Sequence, residues 1–511
     1  IGFGIDPLSI LVPFLIFSIG VSHAVQMTNA WKLEVVAGAD GFTAAKTSFA
    51  KLFVPGAMAL LANAVGFMVM VYIAIDIVRE LAITASLGVA VMIVTNKMLL
   101  TILLSYLTPS AAETEKLRSK GGEERGEWLW KRIQVFARPK AAIVVLAVTS
   151  VLLAGAAIKS RDLKTGDLGK GIPELRDDSR YNQDIEAIVS SFTIGVDVLS
   201  VIARGKDIDG ACTDFAVMDA IDRFESHMKN VHGVQGTISL AGLSKVVNAG
   251  WNEGNQRWRV HSRNRDVLAQ AVTPIDTGTG LLNTDCSAMQ VLIFTKDHQG
   301  ESLTHIIKEV KDYIAVHPQK NVEFLLASGN VGVMAATNEA VDAAEVTMLL
   351  LLFAAISLLC YAEFRSVAAV LCIVVPLAIV AVLCNALMAT LGIGLKVATL
   401  PVVALGVGVG VDYGIYLFER MKHEMEDGGL KLKDAFVEAL KQRGTASVFT
   451  AVTMTISVAT WTFSDLKFQA DMGILLAFMF LVNMFGAILL LPALAAYLVG
   501  DRKTPAPAKA A

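Results

Sequence analysis

Nine apolar segments run through this sequence and limit its fold more than any other feature. A helix that crosses about 30 Å of hydrocarbon needs roughly 20 mostly apolar residues. The segments meet or approach that length at 8–30, 53–75, 81–107, 141–158, 346–361, 367–391, 397–418, 445–463 and 472–499. The chain is also 54% hydrophobic and only 18% charged, which is unusual for a water-soluble domain. The sequence therefore predicts an α-helical membrane bundle with nine transmembrane helices.

The distribution of Lys and Arg predicts the orientation of these helices. If successive helices cross in alternate directions, 21 of these residues fall on one side of the membrane, and three fall in the short loops of the other side. Lys and Arg accumulate in short cytoplasmic loops. The linker 108–140 and the tail 500–511 are therefore predicted to be cytoplasmic, and residues 159–345 to lie outside.

The long outer segment has the pattern of a folded α+β domain. Strand-like runs alternate with amphipathic helical patterns, which predicts βαβ units around a small sheet. The strands are expected at 196–203, 289–294 and 322–326, and the helices at 215–228 and 303–316. Cys212 and Cys286 both fall in this domain. In an oxidising compartment they either pair or stay free, and their spacing in the sequence does not decide between these states.

An internal repeat relates the two halves of the chain at an offset of 390 residues. Leu15, Gly20, Val21 and Lys32 match Leu405, Gly410, Val411 and Lys422. Residues 1–107 would then hold the last three helices of the first repeat. The second repeat would comprise one helix at 141–158, the domain 159–345 and five helices within 346–499. We expect a parent protein with twelve helices and two outer domains, of which about 250 residues precede this chain.

Several classes of function are not expected from this sequence. It contains no GxxxxGK[ST] loop that would cradle nucleotide phosphates. Its net charge of −3 provides no basic field for binding nucleic acid. It shows no spacing typical of metal ligands, and we assign no cofactor, metal ion, catalytic residue or enzyme activity. The energy for any transport is expected to come from a source other than ATP.

The strongest candidate site is Asp412, which lies deep within the apolar segment 397–418. An ionised carboxylate at the centre of a membrane helix costs about 2.5–3.5 kcal/mol on insertion scales, so Asp412 is expected to face the bundle interior. The adjacent Tyr413 has a hydroxyl that can donate to a carboxylate. Gly406, Gly410 and Gly414 are spaced four residues apart and form a smooth face for close helix packing.

The repeat places Ser22 and His23 at the positions equivalent to Asp412 and Tyr413. If the equivalent helices pack against each other, with Gly20 on the matching small face, His23 lies near Asp412. A carboxylate, an imidazole and a phenol would then form a proton relay. Two alternatives stay open: Asp412 is a structural hydrogen-bonding group between helices, or His23 is simply a packed polar residue.

Further polar residues occur in the membrane segments. Thr450 and Thr453 belong to a stripe of hydroxyls that would extend the relay along the next helix. The alternative is that these hydroxyls bond to carbonyls of their own helix. Asn63 would either bond between helices or take part in transport, and Lys97 must either pair or extend its amine to the membrane surface.

These features together resemble the resistance-nodulation-division (RND) superfamily of exporters, and within it the branch of the MMPL proteins. The resemblance lies in the order of one helix, an outer domain and five helices, and in the run Gly410-Val411-Asp412-Tyr413. It implies a ferredoxin-like periplasmic porter domain and a bacterial inner membrane location. It also implies export of a hydrophobic or lipid-like substrate in exchange for protons, with Asp412 and Tyr413 as the coupling pair.

The resemblance leaves several points open. RND proteins often carry an Asp-Tyr pair in both halves, whereas the first half here reads Ser22-His23. A motor for protein translocation, as in SecDF, and a lipid sensor without transport are the alternative functions. The resemblance admits a homo-oligomer, either dimer or trimer, and periplasmic partner proteins. Protons and membrane lipids are the other expected partners.

Overall fold

The computed structural model describes residues 2–110, 112–115, 130, 132–169, 171–192 and 195–500. Within these residues nine helices are long and apolar enough to cross a membrane, which confirms the expected helical membrane fold. The chain divides into two compact units. Lys164–Glu339 form one of them, which we call the outer unit after its predicted position, and the residues on either side form the other, which we call the membrane unit. About half of the predicted linker 108–140 and all of the predicted tail except residue 500 lie outside the described residues.

The first four membrane helices precede the outer unit. They are α1 (Leu11–Val36), α2 (Gly41–Tyr72), α3 (Asp76–Ser105) and α4 (Pro139–Asp162). Asp40 caps the start of α2, because its carboxylate accepts from the backbone N–H of Thr43. Within α3 the segment Ile93–Leu99 is a π-helix, which changes the direction of the side chains that it carries.

Within the described residues of the outer unit lie five complete α-helices and a four-stranded sheet. In chain order the elements are α5 (Arg180–Ser191), β1 (Val198–Gly205), α6 (Phe215–Met228), β2 (Val234–Ser239), α7 (Leu240–Trp251), α8 (Arg265–Val272), β3 (Ala288–Thr295), α9 (Gly300–Val316) and β4 (Val322–Ser328). The strand order is β2-β3-β1-β4, and every neighbouring pair is antiparallel. This is the split βαβ order of a ferredoxin-like domain. The strand β2 was not predicted, because its residues Val234–Ser239 contain a glycine and little apolar alternation.

Cys212 and Cys286 form a disulfide bond, with their Cα atoms 5.5 Å apart. The sequence alone had left this pairing open. The backbone N–H of Cys212 also donates to the carbonyl of Cys286. The disulfide therefore joins the connection before α6 to the turn before β3.

A buried histidine ties the first residues of the outer unit to its sheet. His298 Nδ1 lies 3.1 Å from Asp197 Oδ2, and its Nε2 lies 3.6 Å from Asp167 Oδ2. Burial opposes the charged imidazolium, but the hydrogen bonds and negative charges of the two carboxylates outweigh it and raise the pKa of His298 to about 9. His298 is therefore a stable cation at neutral pH.

The last five membrane helices follow β4. They are α10 (Asn330–Phe364), α11 (Val367–Leu391), α12 (Leu400–Glu426), α13 (Leu432–Phe463) and α14 (Lys467–Leu498). The helix α10 starts at Asn330 rather than at residue 346 as predicted, because its first turns are too polar to be read as part of a membrane segment. The central helix is α12, since every residue from Leu400 to Phe418 is buried.

Candidate functional site

Asp412 lies on α12 in the interior of the membrane unit. Only 2% of its surface is exposed. Its Oδ1 accepts a hydrogen bond of 3.0 Å from Asn63 Nδ2 on α2. Gly408 makes room for this contact, because a Cβ atom there would lie 2.7 Å from Asn63 Oδ1. One carboxylate oxygen is thus fixed by a neutral donor from the first half of the chain.

The second carboxylate oxygen faces His23 on α1. His23 Nε2 and Asp412 Oδ2 are 3.2 Å apart, which is ion-pair distance without the alignment of a hydrogen bond. The other ring nitrogen, His23 Nδ1, lies 2.7 Å from the hydroxyl of Tyr416. The imidazole is completely buried, so both of its nitrogens depend on protein groups.

Lys97 completes the site from α3. It is completely buried, and its Nζ donates to the Tyr416 hydroxyl at 3.0 Å. The ammonium also lies 5.6 Å from the centre of the Tyr416 ring. Lys97 belongs to the π-helical segment Ile93–Leu99 of α3. The π-helix and the contacts with Tyr416 together show that Lys97 pairs inside the bundle and does not extend to the membrane surface.

Gly56 on α2 provides the space for this lysine. A Cβ atom at Gly56 would lie 2.2 Å from Lys97 Nζ and 2.8 Å from the Tyr416 hydroxyl. Such distances are far below van der Waals contact, so any larger residue would displace the amine. The contact between Lys97 and Tyr416 therefore depends on a glycine at this position.

The chemistry of the donors sets the direction of the hydrogen bonds. An ammonium can only donate, so the Tyr416 oxygen accepts from Lys97, and its own proton is directed to His23 Nδ1. A neutral His23 then carries its proton on Nε2, which faces Asp412. Lys97, Tyr416, His23 and Asp412 thus form one continuous chain from a cation to an anion.

The charges of this chain determine what it can do. One carboxylate and one ammonium balance each other inside the membrane, which lowers the cost of burying both. Protonation of His23 adds one positive charge to this balanced pair. Because it lies within hydrogen-bonding distance of two titratable side chains, the protonation states of the site are coupled. The arrangement is suited to accept and release a proton. We call Asp412, His23, Tyr416 and Lys97 the relay cluster.

The comparisons with known proteins agree with this architecture. A family model described as the MMPL family matches residues 183–511, which is more than half of the chain and includes Asp412 and Tyr416. The chain belongs to the MMPL family. The match gives the family and names no substrate.

Individual proteins are also similar to this MMPL protein. A protein of Methanocaldococcus jannaschii described as a membrane protein is 25% identical over 309 residues, which cover 59% of this chain and 77% of the relative. A crystal structure of SecDF in a super-membrane-facing form superposes with a TM-score of 0.55 at 15% identity. The match covers 97% of this chain but only 55% of the SecDF chain, so the MMPL protein spans about half of that length. The likeness to SecDF concerns the fold.

Tyr413, predicted as a coupling residue, is placed apart from the relay cluster. Its hydroxyl is buried and makes no hydrogen bond with the described residues. Adjacent residues of a helix point about 100° apart, whereas residues four apart share a face. Tyr416, four residues after Asp412, therefore occupies the place that the sequence analysis gave to Tyr413.

The predicted hydroxyl residues of α13 also stay outside the cluster. Thr450 Oγ1 donates to the Ser447 carbonyl at 3.0 Å, and Thr453 Oγ1 donates to the Phe449 carbonyl at 2.9 Å. Both hydroxyls are thus bonded to their own helix, which was the alternative for this stripe. Ser22 is buried on α1 next to His23, but its side chain has no hydrogen bond to the relay cluster.

The glycine face packs, but against other helices than expected. A Cβ at Gly406 or Gly410 would lie 2.5 Å from Met479 or Asn483 on α14, and one at Gly414 would lie 3.0 Å from Ile373 on α11. Gly20 on α1 approaches Met92 on α3 in the same way, at 3.1 Å. Gly406, Gly410 and Gly414 of α12 therefore do not face α1. Contact between α1 and α12 instead takes place through the larger side chains of His23, Asp412 and Tyr416.

Three members of the site were not assigned by the sequence analysis. Tyr416 was overlooked, although its spacing of four from Asp412 was a usable signal. Lys97 and Asn63 were recognised as buried polar residues of the first half, but their partners were left open.

Proposed function

We propose that this protein is a transporter, not an enzyme, that exports a hydrophobic or lipid-like substrate using the proton gradient. The observation that supports this most is the relay cluster, in which a carboxylate, an imidazole, a phenol and an ammonium are linked at 2.7–3.2 Å inside the membrane. Ionisable groups within membrane helices are costly and mark ion and proton pathways by default.

Proton binding would change how the helices pack. The relay cluster joins α1, α3 and α12, so a proton that converts His23 to imidazolium changes the electrostatic contacts of all three helices. In its neutral form the Nδ1 atom accepts from Tyr416, and in its charged form both nitrogens donate. Each proton would thus favour one of two arrangements of the helices, and substrate binding would favour the other.

The proposed orientation follows the positive charges of the loops. We propose a bacterial inner membrane location, with the Lys- and Arg-rich loops and the C-terminus in the cytoplasm and Lys164–Glu339 in the periplasm. The disulfide between Cys212 and Cys286 supports this orientation, since such bonds persist in oxidising compartments.

The substrate class is inferred from the family. A cavity of about 250 Å³ in the outer unit is lined by polar groups, including His227, His232, His305 and Glu309. Such a lining does not favour an acyl chain, so this cavity is not the basis of the proposed substrate. We also propose that the protein acts with a second copy of itself or with periplasmic partner proteins.

The proposal is tested by proton flux in vesicles containing the purified protein. Under an imposed pH gradient and with candidate lipids present, Asp412→Asn should reduce substrate-linked proton flux by about 100-fold, the scale of losing a proton-transfer group. Asp471→Asn is the matched control, since Asp471 lies on α14 and pairs with Lys396, 3.3 Å away. Equal flux in wild type and Asp412→Asn would refute the proposal.

A further inference from the structure

A second set of polar side chains lies beyond Tyr416, toward the end of α12 at Glu426, and all of them are buried except Glu419, which is half-buried. It comprises Gln26 on α1, Ser48 on α2, Glu419 on α12, and Arg443 and Ser447 on α13; we call it the second polar cluster. Gln26 Nε2 donates to Ser447 Oγ at 3.1 Å. Arg443 interacts electrostatically with Glu419 and with Tyr416. The cluster thus reaches from the relay cluster toward one membrane face.

Helix geometry connects the two clusters. Asp412, Tyr416 and Glu419 are spaced four and three residues apart and share one face of α12, and Glu419 lies about 10 Å along the axis from Asp412. On α2, Ser48 and Gly56 share a face with Leu52, which packs in the same buried group as Tyr416. Four helices therefore direct polar groups to the same side of the relay cluster.

The second polar cluster is unusual because its polar atoms are poorly satisfied. Gln26 Oε1, Ser48 Oγ, Glu419 Oε2 and Arg443 Nε are all buried and have no hydrogen-bond partner among the described residues. Gln26, Ser48 and Arg443 are each at most 3% exposed. A buried polar atom without a partner costs about 1–3 kcal/mol, and bound water is the usual compensation. Four such atoms in one region indicate a hydrated space.

We propose that the second polar cluster is a water-filled passage for protons, and that Glu419 transfers them between the relay cluster and one membrane face. In the releasing direction, the imidazolium of His23 gives its proton through Tyr416 and water to the Glu419 carboxylate and becomes neutral. Glu419 then gives the proton to water at the membrane face, so one proton moves and no other bond changes. Between transfers, the guanidinium of Arg443 stabilises the deprotonated carboxylate of Glu419.

The passage opens on the side that carries most of the Lys and Arg residues. Beyond Glu419, α12 ends at Glu426, and the loop to Leu432 leads into α13. Residues 419–444 hold six Lys and Arg residues. This inference rests on the proposed function for its purpose, but the hydration of the passage is a separate property and is measured separately.

Hydration is tested with cysteine substitutions and silver ions, which are close to water in size. Ag⁺ is added to sealed vesicles of either orientation, and its reaction with a thiol is measured as the loss of later maleimide labelling. Ser48→Cys and Ser447→Cys should react at least about tenfold faster from the Lys- and Arg-rich side than from the other side. Matched controls are Ala62→Cys on α2 and Ala451→Cys on α13, both completely buried in the apolar core. Wild type gives the background, because its three free thiols are buried. Ag⁺ reaction rates equal to those of the control variants would overturn the proposal of a hydrated passage.

The role of Glu419 is tested by proton flux in the same vesicles. Glu419→Gln should slow flux several-fold and make it depend more steeply on pH at the Lys- and Arg-rich side, whereas Glu426→Gln on the exposed end of α12 should not. Unchanged flux in Glu419→Gln would remove its assigned role. If Asp412→Asn leaves flux intact while the thiols react as expected, the transport proposal fails and the passage stands. If Asp412→Asn stops flux and the thiols do not react, the passage proposal fails and the transport proposal stands.

Discussion

Two of the clusters that the described residues form bring a buried histidine to a carboxylate, and these two differ in their balance of charge. In the outer unit, His298 lies between two carboxylates, Asp167 and Asp197. In the membrane unit, His23 faces a single carboxylate, Asp412, whose charge is already balanced by the ammonium of Lys97.

This difference separates a structural ion pair from a site that exchanges protons. Two carboxylates hold the proton on His298, and its pKa of about 9 keeps it charged throughout the neutral range. His23 receives no such excess of negative charge, so its proton is not held in the same way. The same residue types therefore serve different purposes, and the number of neighbouring charges decides which.

Removing the balancing ammonium should have the largest effect on proton flux. In Lys97→Met the buried carboxylate loses its counter-charge, and we expect flux to fall about 100-fold and the free energy of unfolding to fall by about 3 kcal/mol. Thermal unfolding in detergent measures the second effect. Adding Asp412→Asn to this variant should restore most of the lost stability, since no uncompensated charge then remains. A double variant as unstable as Lys97→Met would argue against charge balance.

The two tyrosines of α12 provide the next comparison. Tyr416→Phe removes the hydroxyl that joins Lys97 to His23, and we expect proton flux to fall about tenfold. Tyr413→Phe removes a hydroxyl without a hydrogen bond to the described residues and should leave flux unchanged. The opposite ranking of these two variants would restore Tyr413 as the coupling tyrosine.

A smaller effect is expected from glycine substitutions on α2. Gly56→Ala forces Lys97 away from Tyr416 and should lower flux a few-fold while the fold is retained. Gly66→Ala is the matched control, because its Cβ would make an ordinary contact of 3.4 Å with Leu352. Equal flux in both variants would show that the position of the Lys97 amine is unimportant.

The outer histidine should have no effect on flux but a clear effect on stability. The pKa of folded His298 is raised above its usual value of 6.5, so its charge stabilises the fold fully below pH 6.5, and this stabilisation is lost as the pH rises through 9. We expect His298→Gln to cost about 2–3 kcal/mol at pH 6 and little at pH 10. Hydrogen exchange of the β1 and β3 amides at the two pH values checks this, and a pH-independent loss would contradict it.

The sequence predicted the helices well because membrane helices carry a strong local signal. It also brought His23 to Asp412, since the repeat implied that equivalent helices pack together. Tyr416 was not identified from the sequence, because the adjacent pair Asp412-Tyr413 was considered instead of the residues that share a helix face with Asp412. The role of Lys97 depends on a π-helical segment and on the space above Gly56, and both are properties of packing rather than of the local sequence.

In the outer unit the limits of sequence analysis were different. The strands β1, β3 and β4 have apolar alternation and were predicted, whereas β2 is stabilised by its pairing with β3 and lacks a strong pattern of its own. The triad joins His298 to carboxylates that lie 101 and 131 positions earlier in the chain, Asp197 and Asp167. No local pattern could have indicated it.

The most direct test of the account compares the protonation of the two histidines in the same molecule. Nitrogen NMR of ¹⁵N-histidine-labelled protein in bilayers, assigned with His23→Gln and His298→Gln, reports the protonation of each ring nitrogen. We predict that from about pH 5 to 8 the His298 signals stay those of an imidazolium, while the His23 signals change with pH and shift in Asp412→Asn. A His23 ring that keeps one protonation state over this range, with or without Asp412, would contradict the proton relay.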